Sequence, residues 1–321
     1  MDHHGDATTE CCADCGGVAG EGISLKTCKA CMTVKYCNAN CQRNHWPKHK
    51  KECEQLYDEA LFKDPPAKEE CPICFLPMPI RLISSISLPP ATILSVPIYD
   101  YAVANVELSG KLMEQHFPCC GKSLCLVCLH SCFQTGNQGT CPYCKTQMIR
   151  KTIEEDVKDI MKRVKANDAG SMCELAMYFR HGEGGLQQDR TKAMELFARA
   201  ADLGSNQAHD YLGAEYYEGG DLKKAKFHLG AAAMAGNEKA RCNLGNLEGK
   251  SGNVGRGLKH LKIAASAGHH EAMHNLLVAF RIGMVNRDTI DSTLAAYNTS
   301  CVEMRSEARD KYMSDFKNRQ R

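Results

Sequence analysis

A single tryptophan and an aromatic content of 7% leave this 321-residue chain without the stacking platform that nucleic-acid bases require. Net charge is nearly absent as well. Forty Lys and Arg against 38 Asp and Glu give +2, so no broad field draws in nucleic acid or an anionic membrane. The basic residues from Lys48 to Lys51 are offset by nearby Glu and Asp and form no stripe. No apolar run spans a bilayer, because the longest, Ala91 to Leu108, is broken by Pro97, Asp100 and Glu107. The start, Met-Asp-His-His-Gly-Asp, has neither the basic nor the apolar region of a signal peptide, which makes a cytoplasmic or nuclear location the expectation. No nucleophile–base motif stands outside the candidate metal ligands, so no catalytic residue is assigned. Apolar residues at 43% exclude long disorder, and the length suggests two or three domains.

Cysteine is abundant and unevenly placed. Of 20, eight lie between Cys11 and Cys53, nine between Cys71 and Cys144, and three in the remaining 177 residues. Disulfides and metal compete to explain such density. The Cys-x2-Cys pairs decide for metal, because that spacing makes a tight knuckle aiming two sulfurs at one ion, whereas bridging partners need no such spacing. Thiolate-rich sites with an occasional histidine select zinc.

The first cluster runs Cys12-x2-Cys15, Cys28-x2-Cys31, Cys37-x3-Cys41 and His49-x3-Cys53. The last two pairs are i,i+4 and share a helix face. Eight ligands make two closed tetrahedral sites; Cys11 is a rival to Cys12, but Cys11-x3-Cys15 loses the knuckle. About forty residues bury too little apolar surface to fold alone, and zinc supplies the difference. From Tyr36-Cys37 through Cys41-Gln42, His45-Trp46 and His49 to Cys53, the stretch resembles a MYND finger. The resemblance implies interleaved sites: Cys12, Cys15, Cys37 and Cys41 on one ion, and Cys28, Cys31, His49 and Cys53 on the other. It also implies that Gln42 and Trp46 line a groove for a proline-containing peptide. The rival reading of Trp46 is an apolar plug, and His45 reads as a packing histidine or one that supports a ligand.

The second cluster opens with Cys71-Pro-Ile-Cys74, continues through Cys119-Cys120-Gly-Lys-Ser-Leu-Cys125-Leu-Val-Cys128, and closes with Cys141-Pro-Tyr-Cys144. The layout resembles an all-cysteine RING finger. The resemblance implies one zinc on Cys71, Cys74, Cys125 and Cys128, and another on Cys119, Cys120, Cys141 and Cys144, with His116 the alternative to Cys119 as third ligand. Two departures stand out. Lys122 occupies the position of the usual histidine and its ammonium cannot ligate, and residues 75–118 form a long insertion. RING fingers hold a ubiquitin-conjugating enzyme; the contact positions carried over are Ile73, Pro142 and Lys145. Lysine at the last position lacks the arginine fork, and the usual helix tryptophan is replaced by Leu129 and Phe133.

Beyond residue 150 a repeat begins. Ala200-Ala201-x2-Gly204 recurs as Ala232-Ala233-x2-Gly236 and Ala264-Ala265-x2-Gly268, a step of 32 shared by Asp189, Asp221 and Asn253, by Lys192, Lys224 and Arg256, by Phe197, Leu229 and Leu261, and by Ala208, Ala240 and Ala272. The Asp and Asn positions predict N-caps, and the glycines predict helix ends at C′. Helix pairs at this period stack into an α-solenoid. The signature resembles Sel-1-like, tetratricopeptide-related repeats, which implies a platform for another protein.

The expected fold is therefore two small zinc-stapled fingers followed by an all-α solenoid of helix-pair repeats. The plan is a MYND-like finger over 11–53, a RING-like finger over 71–149, a linker helix over 150–168, repeats over 169–284, and a cap over 285–321 read as one amphipathic helix from 288 to 316. Cys173, Cys242 and Cys301 read as core thiols, and Cys132 as a spare. About four zinc ions are expected. The leading function is a non-catalytic adaptor; the alternative is a ubiquitin-protein ligase with a substrate on the solenoid. A lysine methyltransferase is excluded because helical repeats stand where its β-rich cofactor domain would be. Neither nucleic acid nor membrane is expected as a partner.

Overall fold

The structure is a computed structural model that describes residues 10–20, 23–68, 70–75, 114–117, 119–125, 128, 131–132, 140–146, 153–304 and 306. Most of the insertion, together with Leu129 and Phe133, lies outside the described residues. The chain divides into two compact units, Met1–Pro65 and Pro66–Arg321.

In the first unit, two short strands, β1 (Lys26–Thr27) and β2 (Lys35–Tyr36), pair antiparallel ahead of helix α1 (Ala39–Leu61). Its core consists largely of ligand-type residues: Cys12, Cys28, Cys31, Cys41 and Cys53 are buried together with Tyr36.

The second unit holds a hairpin of β3 (Glu114–Phe117) and β4 (Lys122–Cys125), in register from Glu114↔Cys125 to Phe117↔Lys122. Phe117 and Leu124 are buried with the surrounding cysteines, and the Phe117 ring meets Tyr143 edge-on at 5.9 Å. Among the residues described from 153 onward, nine helices follow: α2 (Ile153–Lys165), α3 (Ala169–His181), α4 (Arg190–Asp202), α5 (Asn206–Glu218), α6 (Leu222–Met234), α7 (Glu238–Lys250), α8 (Val254–Ser266), α9 (His270–Arg281) and α10 (Arg287–Glu303).

The repeat signature has a clear backbone cause. In each Ala-Ala-x2-Gly, the glycine N–H donates to the second alanine's carbonyl and the next residue's N–H to the first, as in Gly204 N to Ala201 O (2.9 Å) and Ser205 N to Ala200 O (3.0 Å). The glycines take φ of 86°, 87° and 92° at 204, 236 and 268. The residue after each glycine then caps the next helix: Ser205, Asn237 and His269 accept from the N–H of Ala208, Ala240 and Ala272. One glycine thus both ends a helix and sets the cap of its successor. Asp189 and Asp221 cap as expected, but Asn253 makes no side-chain cap; its amide donates to Glu248 Oε2 at 2.7 Å instead.

Close helix contact explains Gly257, which replaces an alanine of the register. A Cβ there would stand 2.7 Å from the Gly245 carbonyl oxygen, so α7 and α8 meet backbone to backbone. Helix α2 is part of the first solenoid core, burying Val157, Ile160 and Val164 with Met172 and Phe197. The last described helix covers part of the expected cap. It ends at Glu303 with Met304 as C-cap, and Ala308 and Tyr312 lie outside the described residues. Ile290 is buried, with Leu294 and Tyr297 packed beside it. Cys173 and Cys242 are buried, whereas Cys301 and Cys132 are half-buried.

Candidate metal centres

Four local devices build the sites. Four of the five Cys-x2-Cys knuckles close with an N–H donated to the first cysteine's carbonyl: Gly16 to Cys12 (2.9 Å), Met32 to Cys28 (2.8 Å), Phe75 to Cys71 (2.8 Å) and Lys145 to Cys141 (3.0 Å). All four closing residues have positive φ, namely 70°, 57°, 53° and 59°, and three of them carry side chains. Such a backbone costs on the order of 1–3 kcal/mol and persists only where something stronger fixes it.

The knuckles converge in quartets. Cys12, Cys15, Cys37 and Cys41 form one; Cys28, Cys31, His49 and Cys53 the second; Cys71, Cys74, Cys125 and Cys128 the third; Cys119, Cys120, Cys141 and Cys144 the fourth, each with its ligand atoms within 4.8 Å of one another. Sulfur separations are 3.6 Å for Cys15–Cys37, 3.5 Å for Cys37–Cys41, 4.0 Å for Cys74–Cys125, 3.7 Å for Cys120–Cys141 and 3.4 Å for Cys119–Cys144. A tetrahedron with Zn–S of about 2.3 Å has edges of about 3.8 Å, whereas a disulfide needs about 2.05 Å. None of the twenty cysteines is joined in a disulfide. The His49 Nε2 to Cys31 Sγ distance of 3.5 Å fits the same tetrahedron with a nitrogen corner. The four quartets are therefore compatible with about four zinc ions.

Cys11 is exposed and bridges to Val18, outside every quartet. The adjacent Cys119 and Cys120 reach one site because they lie in the β3–β4 turn, where Cys120 and Gly121 N–H both donate to Phe117 O. His116 pairs with Ser123 in the hairpin. Lys122 places its ammonium 5.1 Å from the Tyr143 ring centroid.

Electrostatics favour a cation in these pockets. Backbone N–H groups of Cys15 and Cys37 bring the Cys12 thiol down to about 6, while its neighbour Cys41 is pushed up, first by Cys37. Burial opposes ionisation of Cys71, yet N–H groups of Cys74, Cys125 and Ile73 outweigh it and bring that thiol to about 6. Burial, then the Cys28 and Cys31 charges, push Cys53 up to about 12. Such crowded thiols cannot all ionise without a dication to hold them. Burial, then His45, lowers His49, which keeps its ring neutral as a metal ligand requires.

Two supporting residues are not evident from motif spacing. Asn38 caps α1 by accepting the Cys41 N–H at 2.9 Å and also donates to Cys37 Sγ at 3.2 Å. An asparagine directly before a helical cysteine is the available signal. Tyr36 is buried with its hydroxyl 3.0 Å from His45 Nδ1, and His45 stacks on His49 at 5.9 Å. Trp46 is 39% exposed, its ring edge-on to His49 at 5.9 Å. Gln42, one turn away on α1, is half-buried.

In the second unit, Ile73 is exposed, Pro142 half-buried, and Lys145 exposed with Nζ donating to the Pro142 carbonyl at 3.1 Å. The fourth quartet's turn abuts the start of the solenoid. A Cβ on Gly121 would fall 2.0 Å from Arg163 Nη2, and Arg163 pairs at 2.7 Å with Asp168, the N-cap of α3.

A family model described as the MYND finger matches residues 12–53, and one described as the Sel1 repeat matches residues 169–205 and 239–269. Three solved structures are similar to parts of the chain. A Sel1 repeat protein from Oxalobacter formigenes is 21% identical over 54% of this chain and 71% of its own (TM-score 0.42). The protective antigen c5321 of uropathogenic Escherichia coli is 19% identical over 59% and 44% (TM-score 0.39), and the immunity protein Pa5087 of Pseudomonas aeruginosa 21% over 54% and 65% (TM-score 0.35). No helix among the described residues is long and apolar enough to cross a membrane. The chain thus carries a MYND finger at residues 12–53 and Sel1 repeats between 169 and 269, with two further cysteine quartets between them.

Proposed function

We propose that the protein is a cytoplasmic or nuclear adaptor in which four structural zinc ions fold two protein-binding modules ahead of a helical docking platform. The observation that carries this reading is closure. Each quartet already offers four protein ligands, which leaves no open position for substrate or water and suits structural rather than catalytic zinc. The sixteen residues of the quartets are the proposed ligands. In the MYND finger, Gln42 and the exposed face of Trp46 form the proposed contact for a proline-containing peptide, an amphipathic ring presented at low entropic cost. Anisotropy measurements with labelled proline-containing peptides test this. Trp46→Ala should weaken binding at least ten-fold with zinc still at about four per chain; unchanged binding would overturn the assignment.

The second reading, a RING-type ligase, draws support from the exposed apolar Ile73 and Phe75 beside the third quartet, at 44% and 71% exposure. With Pro142 and Lys145, they would form the contact for a ubiquitin-conjugating enzyme. Autoubiquitination with a panel of conjugating enzymes, abolished by Cys74→Ser, would establish it. Silence across the panel leaves the adaptor reading alone.

A further inference from the structure

Lys68 stands in the segment between the two cysteine modules, and its ammonium is held by groups from three separate helices. Nζ donates to the Ala267 carbonyl at 2.6 Å, lies 3.4 Å from Ser300 Oγ, and pairs with Glu238 at 3.1 Å. An ammonium has three N–H donors, and here it meets three oxygen acceptors besides the Met304 sulfur. Ala267 is the C-cap of α8, where the helix dipole favours a cation. Both partners of the ion pair are largely shielded from water, with side chains 21% and 15% exposed.

Two further features make this a shaped place rather than a surface ion pair. A Cβ on Gly236 would approach the Pro66 ring to 3.0 Å, so the proline is seated against a bare glycine. Two residues beyond Ala267, His269 is fully buried; its Nδ1 accepts the Ala272 N–H at 3.3 Å, and its Nε2 has no hydrogen-bond partner. The site is also singular in the repeat register. The 32-residue counterparts of Glu238 are Asn206 and His270, neither of them a carboxylate, and those of His269 are Ser205 and Asn237.

We infer that this place is a peptide-recognition site of the solenoid, selective for a segment with proline two residues before lysine, and that Pro66-Ala67-Lys68 fills it in cis as a tethered pseudo-ligand. The inference deepens the platform reading proposed above and rests on it. A partner segment of the same chemistry competes with the chain's own. Because the cis segment is present at an effective concentration on the order of millimolar, a partner gains the site only by contacting more of the solenoid or after Lys68 loses its charge.

The test uses the full-length zinc-loaded protein with methyl-labelled methionines. Met304 reports on the site, since its sulfur lies 3.6 Å from Lys68 Nζ; its resonance is assigned with Met304→Leu. Lys68→Ala should shift the Met304 methyl signal. Adding the peptide Asp-Pro-Pro-Ala-Lys-Glu-Glu in trans should return it toward the wild-type position, at an apparent affinity at least ten-fold better than for wild type. The same peptide with acetyl-lysine should have no effect, and Glu238→Gln combined with Lys68→Ala should abolish the response at an unchanged thermal midpoint. A Lys68→Ala protein that ignores the peptide at millimolar concentration, or whose Met304 signal never moves, overturns the inference. Either failure leaves the zinc stoichiometry and Trp46 tests standing.

Discussion

The first unit owes its fold to metal, and His49→Ala measures by how much. Among its described residues, the large buried side chains apart from the ligands are Tyr36 and Leu61, each contributing about 1.5–3 kcal/mol. Ordering the backbone costs about 1–2 kcal/mol per residue, so two such side chains fall far short. A structural zinc contributes about 10–16 kcal/mol, comparable to or above the whole stability of an ordinary domain, about 5–15 kcal/mol. Removing His49 strips one of four ligands from the second quartet. The damage should spread, because α1 supplies Cys41 to the first quartet and His49 and Cys53 to the second. Zinc should therefore fall from about four to about two per chain. Trp46, the one tryptophan, lies 5.9 Å from His49 and reports the event by its emission. Far-UV circular dichroism should retain the signal of the solenoid helices. His49→Cys, which restores a fourth ligand, should hold both ions. A His49→Ala protein with about three zinc ions and wild-type emission would refute the coupling, and a collapse of all helical signal would refute the independence of the solenoid.

Other consequences concern the second unit and the knuckles. Burial, then Asp156 and Asp168, raises Glu174 to about 7; the folded state therefore keeps a proton that the unfolded state loses near 4.5, and stability should fall as pH rises from 4.5 to 7. Glu174→Gln should remove that slope and raise stability at pH 8 by on the order of 2 kcal/mol, read by urea unfolding at pH 5 and pH 8; equal slopes would count against it. Gly257→Ala should destabilise by about 1–2 kcal/mol, because its Cβ would meet the Gly245 carbonyl at 2.7 Å, whereas Gly255→Ala, which faces open space, should be neutral or stabilising; thermal melts of equal sign would contradict this. Met32→Gly should relax the positive φ of 57° and lengthen survival of the finger against chelator, and faster loss of zinc would oppose it.

Much of this architecture was legible in the chain itself. Cys-x2-Cys spacing is a local property of a tight turn, and the 32-residue step of Ala-Ala-x2-Gly records a local hydrogen-bond pattern repeated in each unit, so both appear without tertiary information. N-caps at Asp189 and Asp221 were readable for the same reason. Asn253 was not, since its choice of Glu248 over its own helix depends on where α7 places that carboxylate. The described part of α10 ends with a C-cap on Met304, and the stripe's continuation to Tyr312 lies outside the described residues.

What the sequence by itself determined is the ligand inventory and the repeat, because both are written within a few neighbouring residues. Tertiary structure alone decided which sulfurs share a tetrahedron, why Gly257 must be small against Gly245, and where Lys68 finds its acceptors. Those outcomes join groups as distant in the chain as Lys68 and Ser300, and only packed helices can fix the distance between atoms that the chain does not hold together.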